Sequence, residues 1–233
     1  MGKVIGIISV KGGVGKTSCT SNIGASLAKD YNQKVLVVDD NFSAPNLGLH
    51  LGVADVDKTI HEILKGKCSI LESIYEYDDQ FHLIPARLNY RRRVDYKKFK
   101  SKLGRLKKKY DYILIDSSPS LNSEIKATIE ASDYLLVVTS GDYPTVATTV
   151  GTVNEVVSYK KPILGLVVNK YKRKKFELSR EDIEGTVGIP VISFLQENRR
   201  MGKSLAQTTP FVLLFPRARL SKQFRKLASL LIE

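Results

Sequence analysis

One eight-residue stretch limits the folds open to this chain more than any other feature: Lys11-Gly12-Gly13-Val14-Gly15-Lys16-Thr17-Ser18. It follows an apolar run, Lys3–Val10, that reads as a strand, and it opens a helix predicted over Lys16–Asp30. Strand, glycine-rich turn and helix N-terminus in that order aim a ring of backbone N–H groups at one point. The helix dipole reinforces their field, so the unit is an anion site. Gly12, Gly13 and Gly15 permit positive φ and close approach of phosphates. Lys16 can then reach β- and γ-phosphates, and the Thr17 hydroxyl can ligate Mg²⁺. Val10 stands where the standard motif has its first glycine, and the loop opens instead on a second lysine, Lys11. An accidental glycine-rich turn is the alternative. Three glycines in register with Lys16 and Thr17, between a strand and a helix, speak against it.

The rest of the chain keeps alternating apolar runs with amphipathic stretches. Strands are predicted at Lys34–Asp39, Phe81–Pro85, Tyr112–Asp116, Tyr134–Thr139, Ile163–Asn169 and Pro190–Phe194. Helices are predicted near Ser123–Ala131, Pro144–Tyr159, Glu177–Thr186 and Leu220–Ile232, with short helical pieces at Thr59–Lys65 and Ser69–Tyr75. Tyr96, Phe99, Leu103, Leu106 and Tyr110 recur at three- and four-residue steps and predict one amphipathic helix over Asp95–Tyr110. The alternation implies an α/β fold: a single-domain P-loop NTPase, residues 1–233, with a mostly parallel twisted sheet flanked by helices on both faces.

No apolar stretch approaches the roughly 20 residues of a membrane-spanning helix, and the N-terminus carries no signal-peptide pattern. Cys19 and Cys68 fit no metal spacing. A cytoplasmic location is therefore expected, with nucleoid association if the partner is DNA. The charge is the unusual quantity, with 37 Lys and Arg against 24 Asp and Glu, a net +13. Such an excess bears on partners rather than on fold.

The loop resembles that of the MinD/ParA family of deviant P-loop ATPases, and the likeness extends over nearly the whole chain. Asp39-Asp40-Asn41-Phe42-Ser43 with Asn46-Leu47-Gly48-Leu49 is similar to the family's first switch, and Tyr110 through Pro119 to its second strand-end carboxylate and second switch. The stretch Thr139 through Thr145, and Gly188-Ile189-Pro190-Val191, also match. The resemblance implies ATP and Mg²⁺ as cofactors, bound by Lys11 through Ser18, and a homodimer when ATP is bound. It also implies that Lys11 reaches phosphates of the opposite subunit, and that a partner protein stimulates hydrolysis.

Asp39 and Asp116 close buried strands beside the loop, at the edge where open α/β sheets bind ligands. Asp116 is expected to hold the Mg²⁺ shell with Thr17 and Asp39, the alternative being a turn-capping role. Most of the family reads Asp-x-Asp in the first switch, so Asn41 occupies the water-positioning place. An amide orients water but accepts no proton, and slow hydrolysis is the expectation. Asn169 resembles the family's adenine contact; a turn Asn ending its strand is the plain alternative. The family's redox branch fails here, because no Cys-x-x-Cys is present.

Between Arg87 and Lys109 stand twelve Lys and Arg against one Asp. Arg91, Arg92, Arg93, Lys97, Lys98, Lys107 and Lys108, with Lys172, Arg173 and Lys174, are the candidate phosphate-backbone contacts for nonspecific DNA. A solvated helix face is the bland alternative. Three functions stay open: a ParA-like ATPase partitioning chromosome or plasmid on DNA, a MinD-like ATPase positioning division or surface machinery on a membrane, and a nucleotide-sensing regulator with little hydrolysis. The membrane is disfavoured because the apolar side of Leu220–Ile232 is expected to cover the sheet.

Overall fold

The structure, a computed structural model, describes residues 1–90, 94–119 and 122–232. Eight strands form one sheet: β1 (Lys3–Ile8), β2 (Val35–Asp40), β3 (Tyr75–Asp78), β4 (Phe81–Ile84), β5 (Tyr112–Ser117), β6 (Tyr134–Ser140), β7 (Ile163–Tyr171) and β8 (Val191–Gln196). Their order is β3-β4-β2-β5-β1-β6-β7-β8, and every pair is parallel except β3 with β4. The helices are α1 (Lys16–Tyr31), α2 (Leu47–His50), α3 (Ile60–Leu64), α4 (Phe99–Gly104), α5 (Ser123–Ala131), α6 (Tyr143–Ser158), α7 (Arg180–Val187), α8 (Met201–Ala206), α9 (Phe211–Leu214) and α10 (Arg219–Ile232).

The central strands are apolar because both faces are covered, and successive residues go to opposite layers. Ile5, Ile7, Leu114, Leu136 and Val138 pack under α1, α9 and α10. Ile113 and Ile115 pack under α3 to α5, and Leu135 and Val137 under α5 to α7. Leu220, Phe224, Leu227 and Leu231 of α10 are all buried. Each such side chain contributes about 1.5–3 kcal/mol, so the helix is committed to the core. Among the described residues no helix is long and apolar enough to cross a membrane.

Three expectations change. Asp95–Tyr110 is not one helix: α4 is flanked by 3-10 turns at Tyr96–Lys98 and Arg105–Lys108. The break falls at Gly104, a poor interior helix residue, and the tighter turn still buries Leu103, Leu106 and Tyr110. Ser69–Tyr75 holds only a 3-10 turn at Leu71–Ser73, and Tyr75 begins an edge strand instead. The helix predicted from Glu177 starts at Arg180, where Ser179 and Asp182 form a reciprocal capping box. Glu177 instead winds the preceding loop by accepting from the backbone N–H groups of Lys172 and Lys174.

Candidate functional site

β1 delivers the chain to the loop at the edge where the parallel strands end. Gly13 and Gly15 both have positive φ, 80° and 91°. Gly15 also admits no side chain, since a Cβ would come within 2.4 Å of Asn169 Nδ2. It caps α1 without any side-chain hydrogen bond, which leaves the first N–H groups of a 16-residue helix aimed into the loop. Lys16 is buried there, and desolvation lowers its pKa against the opposing pull of Asp116. A buried ammonium with few fixed partners suits a bound polyphosphate.

β2 and β5 place Asp39 and Asp116 side by side. Asp116 accepts from Thr17 Oγ1 at 2.6 Å and from Thr20 Oγ1 at 3.3 Å. Burial pushes its carboxyl up to about 6, while Thr17, Lys16 and Thr20 act the other way. Asp39 is satisfied differently: its oxygens accept three backbone N–H groups, from Asn41, Asn46 and Leu47. It thereby fastens the whole segment 41–47 to the end of β2, and burial followed by the charge of Asp116 raises its pKa. Two buried carboxylates beside one hydroxyl fit a hard divalent cation that takes its other ligands from phosphates and water. No cluster of three or more His, Cys, Asp or Glu side chains suited to a metal exists among the described residues, so a metal held by protein alone is not what this geometry offers.

Asn41 is almost fully buried. Its Nδ2 donates to Ala44 O at 2.6 Å, and its buried Oδ1 has no hydrogen-bond partner among the described residues.

Lys11 does not bend into its own loop. Its Nζ donates to Thr145 Oγ1 at 2.7 Å and pairs with Asp142 at 3.6 Å, at the start of α6. Partial burial opposes ionisation of Asp142, but bonds from Ser140 and Thr145 and the charge of Lys11 outweigh it and lower the carboxyl to about 2.

Asn169 ends up somewhere the sequence does not suggest. Its Nδ2 donates to Val14 O at 2.8 Å, so one N–H of the amide supports the phosphate loop and the second N–H and the carbonyl are left for a base. Lys170 adds a second clamp, donating to Gly13 O at 2.6 Å. The roles of Lys170, Asp142 and Thr145 are invisible in sequence, because they come from 130 or more residues away; a polar residue just past each strand end is the only hint.

The basic residues separate into two places. Lys97 and Lys107 line a groove of about 390 Å³ with Lys100, next to Val4 and Asp133, at the end of the sheet where β1 and β5 begin. Lys107 is half neutralised there by Asp133 at 2.7 Å. Lys98 and Lys108 are exposed nearby. Lys172, Arg173 and Lys174 instead follow the end of β7, on the nucleotide edge, with Lys172 pairing Glu197 at 3.8 Å. They therefore do not form one surface with the first group. Arg91, Arg92 and Arg93 lie outside the described residues, as do Ser120 and Leu121, which follow the second-switch stretch ending at Pro119.

Comparison with known proteins agrees with this geometry. A family model described as an AAA domain matches residues 2–164. An uncharacterized ATP-binding protein of Methanocaldococcus jannaschii is 28% identical over 100% of this chain and 88% of its own length. The cell division ATPase MinD of Pyrococcus furiosus superposes with a TM-score of 0.93 at 30% identity, covering 100% of this chain and 99% of the other. The septum site-determining protein MinD of Pyrococcus horikoshii, complexed with Mg-ADP, gives a TM-score of 0.92 at 28% identity over 98% and 95% of the two chains.

Proposed function

The chain belongs to the MinD/ParA family of P-loop ATPases, with ATP and Mg²⁺ as cofactors, and from that premise we propose a slow, ATP-dependent dimerising switch that works on DNA. In this reading Lys16 and the α1 N-terminus bind the phosphates. Thr17 and Asp116 hold Mg²⁺, which supplies charge neutralisation at the γ-phosphate. The contact between Thr17 and Asp116 carries the switch reading, because it ties the metal position to the strand that leads into the second switch. Asp39 holds the first switch to the sheet, and the buried Oδ1 of Asn41 orients water without taking its proton. Asn41→Asp is expected to raise ATP turnover severalfold, measured as phosphate release; unchanged turnover removes this residue from the rate.

Lys11, half exposed beside Asp142, serves the facing subunit, where a second cation neutralises the transferred phosphoryl group. Tyr143 and Phe176, 65% and 75% exposed, lie on the same edge and give that dimer apolar contacts.

The lysine groove favours DNA as the working surface, since sequence-independent polyphosphate binding is what such a field does. The buried apolar side of α10 argues in the same direction. The likeness to MinD proteins favours a second reading, positioning of division or surface machinery on an anionic membrane. Binding to nonspecific duplex DNA and to anionic liposomes, with and without Mg-ATP across a salt series, decides between them. ATP-dependent DNA binding with a steep salt slope is expected; binding to liposomes alone would replace partition by the membrane reading.

A further inference from the structure

A cleft of about 290 Å³ opens between the first switch segment and the start of α5, and the nucleotide chemistry makes no use of it. Its walls are the rings of Phe42, Tyr90 and Tyr96, its rim is Ser43, and its floor is Glu124. Phe42 and Tyr96 stack at 5.3 Å, and the Tyr90 ring lies 3.9 Å from that of His61.

The floor is incompletely satisfied. Glu124 is only 5% exposed; its Oε1 accepts from the Ser43 hydroxyl, but its Oε2 has no hydrogen-bond partner among the described residues. Behind it the fully buried Asp40 accepts from Thr128 through one oxygen, and its other oxygen has no partner among the described residues. The Tyr90 hydroxyl is a third buried polar atom without a hydrogen bond to any described residue. Buried acceptors of this kind are costly unless something donates to them. An anion is repelled by this floor and an apolar ligand leaves it unpaired. Too few ligating side chains converge for a metal among the described residues. A flat organic cation meets every requirement, because it offers several N–H donors and presents its charge to aromatic faces. One of these rings already takes a cation, since Lys65 Nζ stands 4.7 Å from the Tyr90 centroid.

We propose that the cleft of Phe42, Tyr90, Tyr96 and Glu124 is a binding site for a guanidinium group, donating to Glu124 Oε2 and the Tyr90 oxygen between the aromatic walls. Its source is an arginine side chain of a partner peptide. The occupant touches Ser43 before α2 and Glu124 at the head of α5, so it bridges the two switch segments; this last consequence rests on the switch reading above, whereas the binding does not.

The chain has eleven tyrosines and no tryptophan, so tyrosine fluorescence of the full-length protein, backed by NMR shifts, reports occupancy. N-acetyl-arginine amide, its neutral isostere N-acetyl-citrulline amide, and spermidine are titrated without nucleotide. Saturable binding of the arginine amide, at least tenfold weaker for the citrulline amide, is expected. Glu124→Gln, which keeps an acceptor for Ser43, should weaken it at least tenfold, and Tyr96→Leu severalfold, with circular dichroism unchanged. Spermidine binding tighter than the arginine amide, and equally sensitive to Glu124→Gln, overturns the guanidinium assignment, because a polyamine carries only ammonium groups. Tyr90 and Val94 flank Arg91 to Arg93 in sequence, so the titration is repeated on R91Q/R92Q/R93Q; a gain in affinity there means the chain competes for its own site, which also supports it. Equal binding of arginine and citrulline amides, indifference to Glu124→Gln, or no saturable binding in either background overturns the proposal. Binding of a fluorescent ATP analogue is measured in parallel, so a failure of the nucleotide switch is seen separately from a failure of the cation site.

Discussion

The two ends of the sheet hold charge in opposite ways. Where the strands end, Lys16, Asp39 and Asp116 are nearly or fully buried, and each is met by fixed hydroxyls, backbone N–H groups or one another. Where β1 and β5 begin, Lys97, Lys98, Lys100, Lys108 and Lys109 stand in or near water, and the only fixed ion pair close by is Lys107 with Asp133 among the described residues. Desolvated charge with preset partners binds one ligand in one geometry. Solvated charge on flexible stems binds any polyanion, weakly and in proportion to its phosphates. A site selective for one nucleotide and a field that attracts polyanions without selectivity can thus coexist in one chain.

The buried end should break most sharply. Lys16→Ala removes the cation that the α1 N-terminus and Asp116 hold in place, and nucleotide affinity is expected to fall more than about a hundredfold. Equilibrium binding of a fluorescent ATP analogue checks this; a loss under about tenfold would place the phosphates elsewhere. Lys11→Ala tests the same edge from outside the loop. Because Lys11 contacts Thr145 and Asp142 rather than its own loop, binding of ATP should persist while ATP-dependent dimerisation is lost. A variant that still dimerises by light scattering with Mg-ATP would show that Lys11 is a surface tether only.

Asp116 gives a subtler test of the buried end. Its folded pKa, about 6, lies above the ordinary value of 3.8, so the folded state holds the proton more tightly than the unfolded chain does. The nucleotide-free protein therefore loses stability as pH rises from about 4 to 6 and stays at the lower level above that. Two units set a ceiling of roughly 3 kcal/mol, and the titration belongs to the pair with Asp39. Asp116→Asn abolishes the charge at the expense of one hydroxyl bond, about 1 kcal/mol. Urea unfolding should find the variant more stable by about 2 kcal/mol at pH 7.5 and no more stable than the parent near pH 4. A difference independent of pH would mean that Asp116 carries no burial penalty.

The same contrast explains what could be read from the chain before its structure. Continuous apolar strands such as Val35–Asp40 and Tyr112–Ser117 announce themselves, because burial on both faces demands uninterrupted hydrophobic residues. β3 does not: Tyr75–Asp78 alternates half-buried and exposed residues at the sheet margin, and nothing in four such residues distinguishes a strand from a turn. The period of Asp95–Tyr110 marked Phe99, Leu103, Leu106 and Tyr110, which are buried, and Tyr96, which is half-buried, but not the helix type, since 3-10 turns and α-helix both return a side chain every three to four positions. The loop was legible because its parts are contiguous. Its supports were not, because Asn169, Lys170 and Asp142 meet it only through the parallel sheet. Asn169 shows the limit best, since nothing in the sequence indicates that one N–H of its amide holds Val14 O of the phosphate loop.

The solvated end should yield by small, additive steps. Lys97→Gln, Lys100→Gln and Lys108→Gln together remove three unfixed cations from one side of the molecule without touching a buried contact. If DNA lies along that groove, affinity at moderate salt should fall about tenfold, and the slope of log affinity against log salt should lessen by about 3. ATP binding and dimerisation should not change, because Asp116 and Lys11 sit at the other end of the strands. Lys172→Gln with Lys174→Gln makes the matching pair on the nucleotide edge. A drop in DNA affinity confined to that pair would move the polyanion to the dimer edge, where binding and ATP share one surface. A drop confined to the groove leaves DNA gripped on the side remote from the phosphates, and any dependence on ATP must then come from bringing two such grooves together in the dimer, by avidity rather than by reshaping either one.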